Sequence, residues 1–312
     1  MKILTWTISP ALVQEMEEHY KSREAHSWSG DAESTIREFT FDGVAPELTN
    51  AKCEKFLHFV ERTLLSHQLS GIGIEVGAGP GTWSAFIARA RSVEKMYALD
   101  ACGPIVALAP KVVQAILPGN EHKVIPVVGD FDHMELPDNS LDFAFDFFSL
   151  HHSTNLDRTF RELFRILKPG GIVLCFDKAR ADVLTDYDLG SMLDQEYSDE
   201  FKKKMGIPAG ASHTRRMNGE NEYRLRDWRA AFLGVGFSRF EHFNVARTVS
   251  SNRLIAITKT FFAKLPPRLQ AIFTRLVIPA SKRGVSISAD HRIYSSLVAD
   301  FPKEISVMIA TK

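Results

Sequence analysis

Gly77, Gly79 and Gly81 stand at alternate positions, just after the apolar run Ile72-Gly73-Ile74-Glu75-Val76 and just before Trp83, Phe86, Ile87 and Ala90 at helical spacing. That order reads as strand, glycine loop and helix. Glycine accepts backbone angles and a closeness of approach that a Cβ forbids, and the free amides of a helix's first turn favour an anionic or polar ligand. Asp100 closes a second apolar run, Lys95–Asp100, 19 residues after Gly81. A carboxylate at the end of the neighbouring strand can accept both hydroxyls of a ribose. Asp130 and Phe131 follow a third run, His122–Val128. Asp146, in a fourth run, and His151, His152 and His213 are the side chains suited to take a proton from a reacting group.

These residues need an alternating framework to bring them to one edge. The pattern predicts strands over 72–76, 95–100, 122–128, 141–150, 172–176, 237–245 and 304–310, with helices over 83–90, 104–117, 156–167 and from 225. Pro104 suits a first helical turn, Pro118-Gly119 stops that helix, and Lys168-Pro169-Gly170-Gly171 stops the next. The near-continuous apolar run Leu141–Leu150 suits a strand buried on both faces of a parallel sheet. Residues 177–225 and 247–302 interrupt the alternation and read as insertions, the first over the carboxyl edge where such sheets bind ligands.

The glycine loop alone also fits a dinucleotide-binding dehydrogenase. The spacing here is G-x-G-x-G, Glu75 precedes the first glycine by two, and Thr82 stands where the dinucleotide fingerprint wants Gly or Ala. With Asp130-Phe131 and Leu167-Lys168-Pro169-Gly170-Gly171, the chain over 72–176 resembles the class I S-adenosylmethionine-dependent methyltransferases. The resemblance implies a Rossmann-like α/β fold, with a seven-stranded, mostly parallel sheet and helices on both faces. Domain boundaries follow as an N-terminal helical lid over 1–70 and a core over 71–312. It further implies S-adenosylmethionine as cofactor, bound at Glu75, Gly77, Gly79, Gly81, Asp100, Ala101, Asp130, Phe131, Asp146 and Phe147, with Asp130 on the adenine amine and Phe131 on the ring. Asp146 departs from the small polar residue many relatives carry. Asp146-Phe147-Phe148-Ser149 does not match the Asp/Asn-Pro-Pro-aromatic motif of amino methyltransferases, so the expected reaction is O-methylation of a small or amphiphilic metabolite. Asp146, His151 and His213 are the expected catalytic groups. A non-catalytic S-adenosylmethionine-binding protein and a NAD-dependent oxidoreductase are the other readings.

Thirty-eight basic and 38 acidic side chains balance over 312 residues, so no global field draws the chain to nucleic acid. The charge is unevenly spread: acids crowd 182–200, and none falls between Glu241 and Asp290. Leu265, Leu269, Ile272, Phe273 and Leu276 share a helical face beside Arg268 and Arg275. Such a basic amphipathic stretch suits peripheral membrane contact through 247–283, packing on the chain's own core, or a homodimer interface. Tyr20, His26 and Trp28 either line the pocket or pack the N-terminal segment. Cys53, Cys102 and Cys175 are too few and too scattered for a disulfide framework or a zinc site. No run of about 18 apolar residues could span a bilayer, and the first ten residues do not form a signal peptide, which leaves the cytoplasm as the expected compartment and no metal as the expectation for the site.

Overall fold

A computed structural model describes residues 1–10, 12–14, 16, 57, 60–65, 69–204, 206–208, 210–247, 293–296 and 305–312. In chain order the strands are β1 (Leu4–Thr5), β2 (Gly71–Val76), β3 (Val93–Asp100), β4 (Val124–Val128), β5 (Leu141–Phe147), β6 (Leu167–Asp177), β7 (Arg239–Arg247), β8 (Ile293–Ser296) and β9 (Ile305–Thr311). The helices are α1 (Thr82–Ala88), α2 (Gly103–Val106), α3 (Ala109–Ile116), α4 (Leu156–Ile166), α5 (Asp186–Leu193), α6 (Asp199–Lys204) and α7 (Leu225–Gly234). The strands form one sheet in the order β1-β4-β3-β2-β5-β6-β9-β7-β8. All neighbours are parallel except β9, which runs antiparallel to both β6 and β7.

The sheet is Rossmann-like, as expected, but its strand count is nine where seven were expected. The two additions lie at its edges: β1 pairs with β4, and β8 with β7. The predicted helix over 104–117 is two helices. Pro110 has no N–H to donate to Val106, and its ring crowds that carbonyl, so the chain turns at Ala107-Leu108 and restarts at Ala109. The fifth strand begins at Leu167, five residues earlier than read, because the Gly170 amide and Gly171 carbonyl bond to the Lys312 backbone, each at 2.9 Å.

Period-two alternation sends the sheet's side chains into two cores. Phe143 and Phe145 pack with Trp83 and Phe86 of α1 and Val112 and Ile116 of α3. On the other face Ile74, Val76 and Ala144 meet Phe160 and Leu163 of α4 and Trp228 and Phe232 of α7, where Phe160 stacks on Phe232 at 3.8 Å. Both faces are therefore dry, and the ligand edge is where the parallel strands end. No described helix is long and apolar enough to cross a membrane. Tyr20, His26, Trp28 and the basic stretch 248–283 lie outside the described residues.

Candidate functional site

The loop after β2 is shaped by contacts behind it. Gly77 has φ +67°, and a Cβ there would fall 2.1 Å from the Ser149 Cβ. Ser149 Oγ instead donates to the Gly77 carbonyl at 3.0 Å, drawing the exits of β2 and β5 together. The Gly79 amide donates to Asp100 Oδ2 at 2.8 Å, and the Cys102 amide to Oδ1 at 2.8 Å. Asp100 thus ties the glycine loop to the end of β3. Glu75 braces the same loop from inside: Oε2 accepts from Ser84 N at 2.6 Å and Ser84 Oγ at 2.5 Å, in the first turn of α1. Burial pushes the Glu75 carboxyl up to about 8, so it is mostly protonated at neutral pH.

A cavity of about 390 Å³ opens at these strand ends, within the range of small-molecule sites. Gly77, Asp100, Ala101, Asp130 and Phe131 line one part of it, from the exits of β2, β3 and β4. Ser149, His152, Ser153 and Asn218 line another, and Ser9, Leu12 and Met16 of the N-terminal segment contribute as well. Asp130 is set in its turn by the Asp132 amide, which donates to Oδ1 at 2.8 Å. Asp132 is engaged by Thr159 Oγ1 and by Arg158 at 3.7 Å, and burial holds its carboxyl above the usual range. A glycine turn held against Ser149, a strand-end carboxylate and an acid–aromatic pair, all along adjacent strands, fit an adenosyl group.

Other expected site residues stand elsewhere. Gly79 and Gly81 shape the loop, Gly81 being the left-handed residue before α1 at φ 76°. Phe147 packs on Trp83, with ring centroids 4.7 Å apart. The placement of Glu75 in the cofactor contact is corrected: at 2 % exposure it touches the helix rather than the cavity. Asp146 is corrected in both expected roles. It is fully buried, with Oδ1 accepting from Ser149 N (3.0 Å) and Leu150 N (2.9 Å) and Oδ2 from Cys175 Sγ (3.1 Å), so it has no open face to a substrate. Burial, then the neighbouring Asp177 charge, raises its pKa well above the carboxylate range.

His151 is likewise not a cavity residue. At 4 % exposure its Nδ1 lies 2.7 Å from Asp177 Oδ1, and its amide donates to Asp177 Oδ2 at 2.8 Å. Burial, then Lys178, holds its imidazole neutral. His213 stacks on Tyr197 and reaches Asn218 Oδ1 at 3.5 Å, one residue behind the cavity wall. The lining residues Ser149, Ser153 and Asn218 went unsingled in the sequence. So did Phe148, another lining residue, whose φ of 61° is a conformation a non-glycine residue adopts at a cost of about 1–3 kcal/mol.

Residues 74–175 match the family model of a methyltransferase domain. The sterol 24-C-methyltransferase erg6 of Aspergillus fumigatus is 27 % identical over 128 residues, which covers 41 % of this chain and 30 % of that protein. The chain therefore spans under a third of the length of this curated relative. In fold, the chain resembles a phosphoethanolamine N-methyltransferase of Haemonchus contortus (TM-score 0.52, 16 % identity, 98 % of this chain and 60 % of that one). It also resembles the [4+2]-cyclase SpnF (TM-score 0.50, 16 % identity, 100 % and 98 %). These two likenesses carry the fold alone, and a cyclase among them shows that this fold does not fix one chemistry. The glycine loop, the strand-end acids and the match over 74–175 support a class I S-adenosylmethionine-dependent methyltransferase domain in that part of the chain.

Proposed function

We propose that the protein methylates a small or amphiphilic metabolite at oxygen, using S-adenosylmethionine. The observation that carries this reading is the single cavity that joins the residues suited to an adenosyl group, Gly77, Asp100 and Asp130, to a polar recess at Ser149, His152 and Asn218. The bound cofactor supplies a methyl group on a sulfonium, whose carbon–sulfur bond is already a good leaving bond. The chain's own task is then alignment, which can supply on the order of 7–11 kcal/mol of a barrier. Asp100 and Asp130 hold the nucleoside end, Ser149 fixes the loop beside it, and the aliphatic Leu12 and Met16 give an amphiphilic acceptor an apolar wall. Mismatch to the nitrogen-acceptor motif at Asp146–Ser149 favours oxygen over nitrogen.

Calorimetry with S-adenosylhomocysteine tests the cofactor assignment, with micromolar binding expected and no binding of NAD. Incubation with methyl-labelled cofactor and a cell extract tests turnover. A labelled small molecule carrying the methyl on oxygen supports the reading. Binding without any labelled product would mark a non-catalytic cofactor-binding protein.

A further inference from the structure

We propose that His152 is the catalytic residue that meets the methyl acceptor, its Nε2 accepting a hydrogen bond from the acceptor's own O–H or N–H. This rests on the methyltransferase reading above and narrows its substrate class to protic heteroatom acceptors. Of the four side chains the sequence offers for proton transfer, Asp146, His151, His152 and His213, His152 alone lines the cavity. Its neighbours there include Ser149, which is bonded to the glycine loop, and Asn218.

The ring's tautomer follows from its one hydrogen bond. Nδ1 lies 3.0 Å from the carbonyl oxygen of Gly219, and a carbonyl can only accept, so Nδ1 carries the hydrogen. A neutral imidazole then presents Nε2 as an acceptor, and this atom has no partner among the described residues. Packing and the adjacent His151 ring, centroids 4.3 Å apart, hold the imidazole neutral while one side stays exposed to the cavity.

The carbonyl that sets the tautomer is itself held. Beside it, Glu220 pairs with Lys178 at 2.6 Å and Arg215 at 2.7 Å and accepts from Tyr197. Next, Asn221 donates from its amide and from Nδ2 to the His151 carbonyl, each at 3.1 Å. The stretch 218–221 and the histidine pair are therefore locked to each other. His151, pinned on Asp177, fixes the backbone, and His152 is left to face the ligand.

A carbon acceptor brings no hydrogen bond for Nε2 to receive, whereas a hydroxyl or amine does. As the acceptor's lone pair forms the bond to the methyl carbon, the carbon–sulfur bond breaks with its electrons on sulfur. Bond formation to the methyl makes the acceptor's proton strongly acidic, so that it crosses the hydrogen bond to Nε2 even though the resting ring is neutral, and it leaves from the exposed ring to solvent.

The test combines three readouts on the full chain. Nitrogen-15 ring spectra of histidine-labelled protein with S-adenosylhomocysteine should show His152 as the Nδ1-protonated tautomer. His152→Ala and His152→Gln should bind S-adenosylhomocysteine within twofold of wild type yet lose at least a hundredfold in kcat with the acceptor identified from the labelled product. Gln should keep KM within a few-fold, because its amide oxygen still accepts the hydrogen bond but does not take the proton. The label itself should sit on oxygen or nitrogen. A carbon-bound label, an Nε2-protonated His152, or turnover within threefold of wild type in the Ala variant would overturn the role of His152 and leave methyl transfer standing. Failure of wild type to bind S-adenosylhomocysteine would instead remove the underlying reading.

Discussion

Gly77 shows how little room the loop leaves at the level of single atoms. A methyl added there meets Ser149 Cβ at 2.1 Å and Oγ at 2.2 Å, and the positive φ disfavours any side chain. Gly77→Ala should therefore lower stability by about 1–3 kcal/mol and weaken S-adenosylhomocysteine at least tenfold, measured by urea unfolding and calorimetry. Glu75 gives a pH signature. Its folded pKa of about 8 exceeds the ordinary 4.5, so the native state binds the proton more tightly than the unfolded chain. Stability from this group is complete below about 4.5 and is lost as pH rises toward 8. Glu75→Gln, which keeps an acceptor for Ser84, should flatten the fall in unfolding free energy between pH 5 and pH 8. Were the slope unchanged, Glu75 would have to be ionised in the fold. That Gly77, Asp100, Ala101, Asp130 and Phe131 would share one cavity was legible because strand ends in a parallel sheet converge on one edge, and each of these residues ends or follows a readable strand. Asp146 was misjudged because an end position does not say which face a side chain takes. Alternation sends Ala144 to the α4–α7 layer and Phe145 to the α1–α3 layer, which puts Asp146 against Cys175. The pinned His151 and the cavity-lining His152 are likewise consecutive, and sequence spacing alone cannot choose between them.

Between β6 and α7 the chain leaves the sheet and returns through a knot of buried charge. Arg180 pairs with Glu222, whose side chain is fully buried, and Arg215 bridges Glu222 and Glu220. The acids of 182–200 find partners in the same region: Asp186 with Arg224, Asp194 with Arg216, Glu196 with Lys202. Removing one member of a buried pair strands the other, so Glu222→Ala should destabilise by roughly 3–5 kcal/mol. Because Asn218 and Gly219 sit in this segment, limited proteolysis should cut the variant within 181–224 before the core gives way. Equal resistance of wild type and variant would mean that the ion pairs do not hold the segment. None of this pairing could be read in advance, since partners such as Arg180 and Glu222 stand 42 residues apart with no periodicity joining them. Elements with strong local patterns fared better. The apolar runs gave β2 to β6 in their right order, and Pro110, visible in the sequence, is what splits α2 from α3. Strand β1 is two residues long, too short to carry an alternation, and so escaped notice.

At the scale of the whole molecule, the sheet cannot close until its last strand arrives. β9 lies between β6 and β7 and pairs antiparallel with both, so the strands it joins remain open edges while residues 305–312 are missing. Its side chains reach both cores: Val307 is fully buried in the α1–α3 layer and Met308 in the α4–α7 layer. Lys312 fastens the end, its Nζ donating to the carbonyls of Phe164 at 2.6 Å and Leu167 at 2.7 Å, where α4 passes into β6. The cofactor edge depends on this closure at a distance, because β6 presents Asp177 to His151 and so fixes the turn that carries His152. Deleting 305–312 should therefore give an insoluble chain, since two apolar edges and both cores would be opened at once against a typical net stability of about 5–15 kcal/mol. Met308→Ala is the graded version. It removes one buried side chain without breaking the ladder and should cost about 2–5 kcal/mol by urea unfolding, while S-adenosylhomocysteine affinity stays within twofold where the protein is folded. A soluble, cofactor-binding chain without residues 305–312 would show instead that β6 and β7 are held by the α4–α7 layer alone.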